Sequence, residues 1–210
     1  MEEPKKTTSF EKRLHLSKKL QMKNYQLILA SASPRRQQLL KQLGYEFEVR
    51  LKETDETIPP DMPAHQASMY LAQKKAKTFS HELKENELLI TADTIVIIGG
   101  EILNKPQDEA EAYQMLAKLS GKAHEVVTGF CLTSIEKQLT QSDTTLVYFK
   151  DLSPEEINFY VRNHHPFDKA GGYGAQDWIG MIGVERIEGS YFNVMGLPVH
   201  KLYQALLGFD

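Results

Sequence analysis

Six places in this 210-residue chain carry polar groups of a kind and spacing that could do chemistry. The first is Ser31-Ala32-Ser33-Pro34-Arg35-Arg36, which follows the short apolar run Tyr25–Ala30. A strand handing over to a helix leaves free backbone N–H groups and the positive end of a helix dipole, which together seat a phosphate. Two arginines in that turn add forked cationic donors. The second is Asp93, which interrupts the apolar run Leu88–Ile98 on the face it shares with Leu89, Thr91, Ile95 and Ile97. An unpaired buried carboxylate costs several kcal/mol or takes up a proton, so a cation, a metal or a set of donors must meet it.

Lys75 poses a similar question. The apolar stripe of a helix over Ala64–Phe79 runs through Ala64, Ala67, Leu71 and Phe79, and Lys75 falls into it. Such a lysine either snorkels from the helix edge or points into a cleft. Lys105 precedes Pro106, just after a hairpin that could bring it close to Asp93. The acidic pair Asp55-Glu56 lies in a proline-rich loop, Thr54–Pro63. The last stretch, Pro166–Gln176, is rich in glycine and alanine and can approach a ligand closely. Its Gln176 has both a donor and an acceptor, the equipment for reading a base edge. Asp168 and Lys169 read as a structural pair, and His164-His165 lacks the further ligands that a transition-metal site needs.

The elements that must hold these groups alternate between helix and strand. A strand over Tyr25–Ala30 leads to a helix with Pro34 in its first turn and Gly44 at its end. Tyr45–Leu51 reads as a second strand. Leu88–Ile98 is the strongest strand, turning at Gly99-Gly100 into a short partner over Glu101–Leu103. Asp108 and Glu111 form a capping-box pattern before a helix that runs to Leu119, and Ser153, Pro154 and Glu156 form another before a helix through about Arg162. Further strands are expected at His124–Thr133, Thr144–Phe149 and Ile182–Ile187, with a final helix from Pro198 to Leu207. Helices and strands intermix without a repeat, which predicts an α/β fold with a mixed sheet.

Composition excludes several classes. With 25 Lys+Arg against 28 Asp+Glu, the net charge of -3 argues against coating nucleic acid or an anionic membrane. One cysteine, Cys131, forbids an internal disulfide and a cysteine-rich zinc module, and its apolar neighbours read as a buried strand. No apolar run is long enough to cross a bilayer, so a cytoplasmic protein without a membrane partner is expected. The first residues are basic but carry Glu2, Glu3 and Glu11 and no continuous apolar stretch. Residues 1–24 therefore read as a solvated extension, with a short surface helix over about Ser9 to Lys19, ahead of a domain spanning residues 25–208. Composition and spacing lead as far as metal-assisted chemistry on a small phosphorylated molecule.

The ordered motifs then become informative together. Ser31–Arg36, Ala92-Asp93-Thr94-Ile95-Val96, Lys105-Pro106, Leu119–His124 (LSGKAH), Asp168–Gln176 (DKAGGYGAQ), Ile187–Tyr191 and Gly196-Leu197-Pro198 closely resemble the Maf family of nucleoside triphosphate pyrophosphatases. The resemblance covers about Tyr25 to Leu207. It implies a fold related to the inosine triphosphate pyrophosphatases and hydrolysis of a nucleoside triphosphate to monophosphate and pyrophosphate. Paired arginines after Ser-Pro, with Gln176 in the glycine-rich loop, resemble the dTTP/UTP branch. The branch acting on 7-methyl-GTP usually carries glutamate at the position of Gln176.

The family's active-site positions map onto Ser31, Arg35, Lys75, Asp93, Lys105 and Gln176. The resemblance also implies a homodimer, and for the chemistry a divalent cation, Mg²⁺ before Mn²⁺, is expected on the Asp93 and Glu56 carboxylates. In that reading Arg35, Arg36, Lys75 and Lys105 meet phosphate oxygens, Ser31 and the helix N-terminus assist them, and Gln176 reads the pyrimidine. Two positions depart from the common pattern: Asn104 stands before Lys105 where glycine is frequent, and Asp177-Trp178 follows Gln176 where glycine is usual. Other or modified nucleotides remain an alternative substrate, and a nucleotide-binding regulator of cell division that does not turn over remains an alternative of another class.

Overall fold

A computed structural model describes residues 25–209. The basic extension, with the helix expected over about Ser9 to Lys19, lies outside the described residues. The strands are β1 (Gln26–Leu29), β2 (Phe47–Val49), β3 (Glu87–Ile98), β4 (Glu101–Leu103), β5 (Ala123–Thr133), β6 (Gln138–Phe149) and β7 (Val184–Glu188). The helices are α1 (Pro34–Gln42), α2 (Ala64–Lys77), α3 (Glu109–Leu119), α4 (Pro154–His164), α5 (Trp178–Gly183), α6 (Tyr191–Val194) and α7 (Val199–Leu207). One mixed sheet runs in the order β2-β1-β3-β5-β6-β7, with β4 on β3. β1 is parallel to both β2 and β3, whereas every other pairing is antiparallel. The expected α/β class with a mixed sheet is what forms.

β3 is central and apolar on both faces, as a strand covered by helices must be. On one face Leu88, Ile90 and Ala92 pack with Leu39, Leu40, Leu202 and Leu206 of α1 and α7. On the other, Leu89 meets Ala72 and Ala76 of α2, and Ile95 and Ile97 meet Ala67 of the same helix. α2 comes this close because Gly129, directly opposite Asp93 on β5, has no side chain. A Cβ there would stand 2.5 Å from the backbone nitrogen of Met69.

The sheet also opens a gap at β3. β1 pairs with it only through Ile90, and β4 only from Val96 onward. Among the described residues, the edge between them carries no strand on that side, and the chain leaving β1 turns away into α1. Ligands of open α/β sheets bind at such divergences, beyond the carboxyl ends of parallel strands.

Several boundaries differ from the sequence reading. β6 starts at Gln138 rather than Thr144, because its polar first half pairs fully with β5 despite lacking an apolar pattern. α5 takes Ile182 and Gly183 from the strand expected over Ile182–Ile187, which instead starts at Val184, and α6 falls where no helix is expected. The turn at Gly99 and Gly100 has φ of 58° and 83°, the left-handed pair that a tight hairpin needs. Ser153 and Glu156 form the full capping box. Asp108 caps α3 through the Glu111 amide, but the Glu111 carboxylate accepts from Gln107 N, one residue earlier than a capping box requires.

Candidate active site

A cleft of about 600 Å³ opens at the gap beside β3. Its wall is made by the turn into α1, the loop after β2, α2, the exit of β4, and the glycine-rich loop before α5. Six cationic side chains and four carboxylates line it, an excess of +2 that favours an anion.

The turn is built as its sequence dictates. Ser33 is the N-cap of α1, with Pro34 in the first turn, and its hydroxyl accepts from Arg36 N at 3.5 Å. Ser31 is buried, and its Oγ accepts from Ser33 N at 3.3 Å. The two arginines then diverge. Arg35 reaches across the cleft to Asp168, with Nη1 3.1 Å from Oδ2. Arg36 turns inward and donates to Gly196 O, Ala92 O and Thr94 Oγ1 at 2.8–2.9 Å. It borders the cleft with its fork engaged by the protein, gripping the residues on either side of Asp93. Desolvation lowers the pKa of Arg36, with Asp93 and Glu56 opposing the shift.

Asp93 and Lys75 meet. The Lys75 ammonium lies 2.6 Å from Asp93 Oδ1 and 2.8 Å from Glu56 Oε1. Both questions raised by the burial pattern thus have one answer: Lys75 points into the cleft, and the partner of Asp93 is a cation. Glu56 also faces Lys105 at 3.4 Å. Desolvation raises the Glu56 pKa, but Lys75 and Lys105 outweigh it and hold the carboxyl below its ordinary value. Lys105 is half-exposed at the rim and reaches Asp93 only through Glu56 and Lys75.

The loop that carries Glu56 is pinned on both sides. Arg50 binds the buried Glu87 through two hydrogen bonds of 3.0–3.1 Å. Asp55 takes a hydrogen bond from Lys74 at 2.7 Å, so neighbouring carboxylates of the loop meet neighbouring lysines of α2. Lys74 and Thr57 pull the Asp55 pKa well down. The acidic pair is therefore divided: Glu56 lines the cleft and Asp55 anchors it.

Gln176 lines the opposite wall, and its buried Oε1 has no hydrogen-bond partner. An orphaned acceptor on a side chain of the cleft wall is equipped for a ligand N–H. Its loop is tied at several points. Gly171 N donates to Asn104 O at 3.0 Å, and the Tyr173 hydroxyl lies 2.7 Å from His124 Nε2. The contact of Asp168 with Lys169 is present at 2.6 Å, but both residues also border the cleft. Sequence reasoning missed this role; the signal was their place in the same motif as Gln176. Lys52 was missed too, a cleft residue held over the Phe79 ring at 5.0 Å.

Among the described residues, no group of three or more His, Cys, Asp or Glu could hold a metal ion by itself. No helix among them is long and apolar enough to cross a membrane. Cys131 is buried, as its neighbours imply.

A mixed α/β fold with a cation-rich cleft at a strand divergence defines a protein that handles a small, highly charged anion. The model of the Maf-like protein family matches residues 26–209, and the chain belongs to this family. A dTTP/UTP pyrophosphatase of Phocaeicola vulgatus is 50% identical over 186 residues, covering 88% of this chain and 96% of that protein. One of Flavobacterium johnsoniae is 47% identical, covering 90% and 97%. A third, of Porphyromonas gingivalis, is 46% identical and covers 90% and 96%. A solved nucleoside-triphosphatase (dITP/XTP pyrophosphatase) of Mycobacterium abscessus has a TM-score of 0.37 and 14% identity, covering 59% of this chain and 72% of that one, too distant to bear on the fold.

Proposed function

We infer that the chain hydrolyses dTTP and UTP at the α–β phosphoanhydride, giving dTMP or UMP and pyrophosphate. The observation that carries this reading is the Lys75 ammonium bracketed by Asp93 and Glu56 inside a cleft with a cationic excess. Relatives that match nearly the whole of their own length bear the name dTTP/UTP pyrophosphatase.

In this mechanism the triphosphate lies along the turn into α1, where Ser31 and the helix N-terminus donate to phosphate oxygens. Arg35 leaves Asp168 and takes a phosphate, and Lys105 leaves Glu56 to do the same. A water attacks the α-phosphorus and gives its proton to Asp93. The new P–O bond forms as the bond to the bridging oxygen breaks, and the leaving pyrophosphate carries the electron pair away. Lys75, Lys105 and Arg35 meet the charge that develops there. The Gln176 amide pairs with the pyrimidine edge, using the orphaned Oε1 for the ring N–H that thymine and uracil share.

Asp93 and Glu56, which Lys75 bridges in the free cleft, would hold a divalent cation once Glu56 gives up its contact with Lys75 to a phosphate. They are hard oxygen donors, and Mg²⁺ commonly takes one or two protein carboxylates and completes its shell with phosphate oxygens and water. When bound, Mg²⁺, or Mn²⁺ in its place, supplies charge neutralisation on the phosphates and acidifies a water. The reading takes residues 25–208 as the catalytic domain, residues 1–24 as a basic extension, a homodimer as the assembly and the cytoplasm as the location.

Hydrolysis of dTTP in ¹⁸O-labelled water tests the chemistry. Attack at the α-phosphorus places the label in dTMP and leaves pyrophosphate unlabelled. Label in pyrophosphate would overturn the mechanism.

A further inference from the structure

The segment Gly174–Asp177 is a tight turn closed by Asp177 N donating to Gly174 O at 3.0 Å, with Gln176 as its third residue. One side chain outside the cleft holds both ends of that turn. Tyr160, fully buried on α4, donates its hydroxyl proton to Asp177 Oδ2 at 2.8 Å. The Tyr160 hydroxyl oxygen in turn accepts from Gly174 N at 3.2 Å. The ring is fixed in turn by stacking on His164, with centroids 5.0 Å apart. Burial, with the Asp177 carboxylate beside it, pushes the phenol pKa upward, so the hydroxyl keeps the proton it donates. Neither Tyr160 nor Asp177 is among the residues lining the cleft, whereas Gln176 between them is.

We propose that Tyr160 is a positioning residue for base selection: its hydroxyl, held between the Asp177 carboxylate and the Gly174 amide, fixes the turn that presents Gln176 to the cleft. This rests on the reading of Gln176 as the residue that pairs with the pyrimidine. A glutamine has three rotatable side-chain bonds, and an amide that reads a base must hold its plane and its distance. Discrimination by a hydrogen bond is lost when the pair can drift by a fraction of an ångström. Tyr160 limits that drift by fixing both ends of a four-residue turn from the side away from substrate. Lys169, 3.6 Å from Asp177 Oδ2, adds a charge partner and links the clamp to the cleft wall.

Tyr160→Phe keeps the ring and removes only the hydroxyl. The measured quantity is the ratio of kcat/KM for dTTP to that for dCTP, in the full chain with Mg²⁺. Gln176→Ala should lower the ratio about tenfold, the value of one well-made hydrogen bond. Tyr160→Phe and Asp177→Ala should each produce most of that loss, through KM for dTTP more than through kcat. Asp177→Asn keeps an oxygen that accepts from the phenol and should stay within about twofold of the parent protein. The double variant Tyr160→Phe/Gln176→Ala should be no less selective than Gln176→Ala alone, because the clamp acts only through the amide.

If Gln176→Ala loses selectivity while Tyr160→Phe and Asp177→Ala retain it, the positioning role is wrong and the reading of Gln176 stands. Losses that add in the double variant also overturn the proposal. If Gln176→Ala itself keeps the preference, the base-reading role fails and the clamp fails with it. Should Tyr160→Phe not fold, the Asp177→Ala and Asp177→Asn pair decides the matter.

Discussion

The Lys75 ammonium touches two carboxylates from different parts of the chain, Asp93 on β3 and Glu56 on the loop after β2, at 2.6 and 2.8 Å. Asp93 is buried, whereas Glu56 is about half-exposed. Lys75 is thus the fixed partner of one carboxylate and the exchangeable partner of the other. A phosphate arriving in the cleft can replace Glu56 without stranding Asp93.

Removing Lys75 should therefore cost stability as well as activity. Lys75→Met leaves the Asp93 carboxylate buried without its cation, and a loss of about 3–5 kcal/mol is expected in urea unfolding. Pyrophosphate release should fall at least about 100-fold. Lys105 is half-exposed and Lys105→Met should move stability by less than about 0.5 kcal/mol while still weakening turnover. Equal stability for the two variants would contradict the buried pairing.

Gly129 should be intolerant of a methyl group. The added Cβ of Gly129→Ala meets α2 backbone at 2.5 Å, so the helix must move away from β5. Overpacking of this kind costs about 2–3 kcal/mol. Because α2 carries Lys75, kcat should fall along with the midpoint of unfolding. A variant with normal kcat would show that Lys75 does not depend on this approach.

Arg35 and Asp168 form an ion pair across the cleft whose carboxylate is more than half exposed. Such a pair contributes little to stability. Arg35→Ala should leave thermal unfolding almost unmoved and raise KM for dTTP about tenfold or more. Asp168→Asn should lower KM by releasing Arg35 before substrate arrives. A raised KM in Asp168→Asn would show that the bridge helps binding rather than competing with it.

His124 makes stability depend on pH. The ring is buried, touches Tyr173 and Phe149 edge-on, and its Nδ1 lacks a hydrogen-bond partner. Burial lowers its pKa to about 4, from an ordinary value near 6.5. Between those values the unfolded chain binds a proton that the folded chain refuses, so stability rises with pH across this window and is lost on acidification. The full effect is about 3 kcal/mol. Urea unfolding at pH 4 to 7 should show one proton's more slope in the parent than in His124→Gln, and equal slopes would contradict it.

Much of this site is legible in the sequence because its residues violate burial. Asp93 inside an apolar strand and Lys75 inside an apolar helix stripe each demand a partner, and each turns out to be the other's. The Ser31–Arg36 turn is legible because capping chemistry is local. What could not be read is set by tertiary contact. Asp168 pairs with its own neighbour in sequence, yet its second contact, Arg35, lies 133 residues away. Arg36 carries the same side chain as Arg35, and only the position of Gly196 and Thr94 turns it inward. α5 is hidden by its two glycines, which lower helix propensity, while burial of Ile179 holds it in place.

Pyrophosphate release from a panel of nucleoside triphosphates with Mg²⁺, run beside Asp93→Asn, tests the central claim most directly. Asparagine keeps the shape and removes the charge that Lys75 meets. The account predicts turnover of dTTP and UTP well above that of dCTP and the purine triphosphates, reduced at least about 100-fold in the variant. Near-normal turnover by Asp93→Asn, or binding of dTTP without pyrophosphate release in the parent protein, would contradict it.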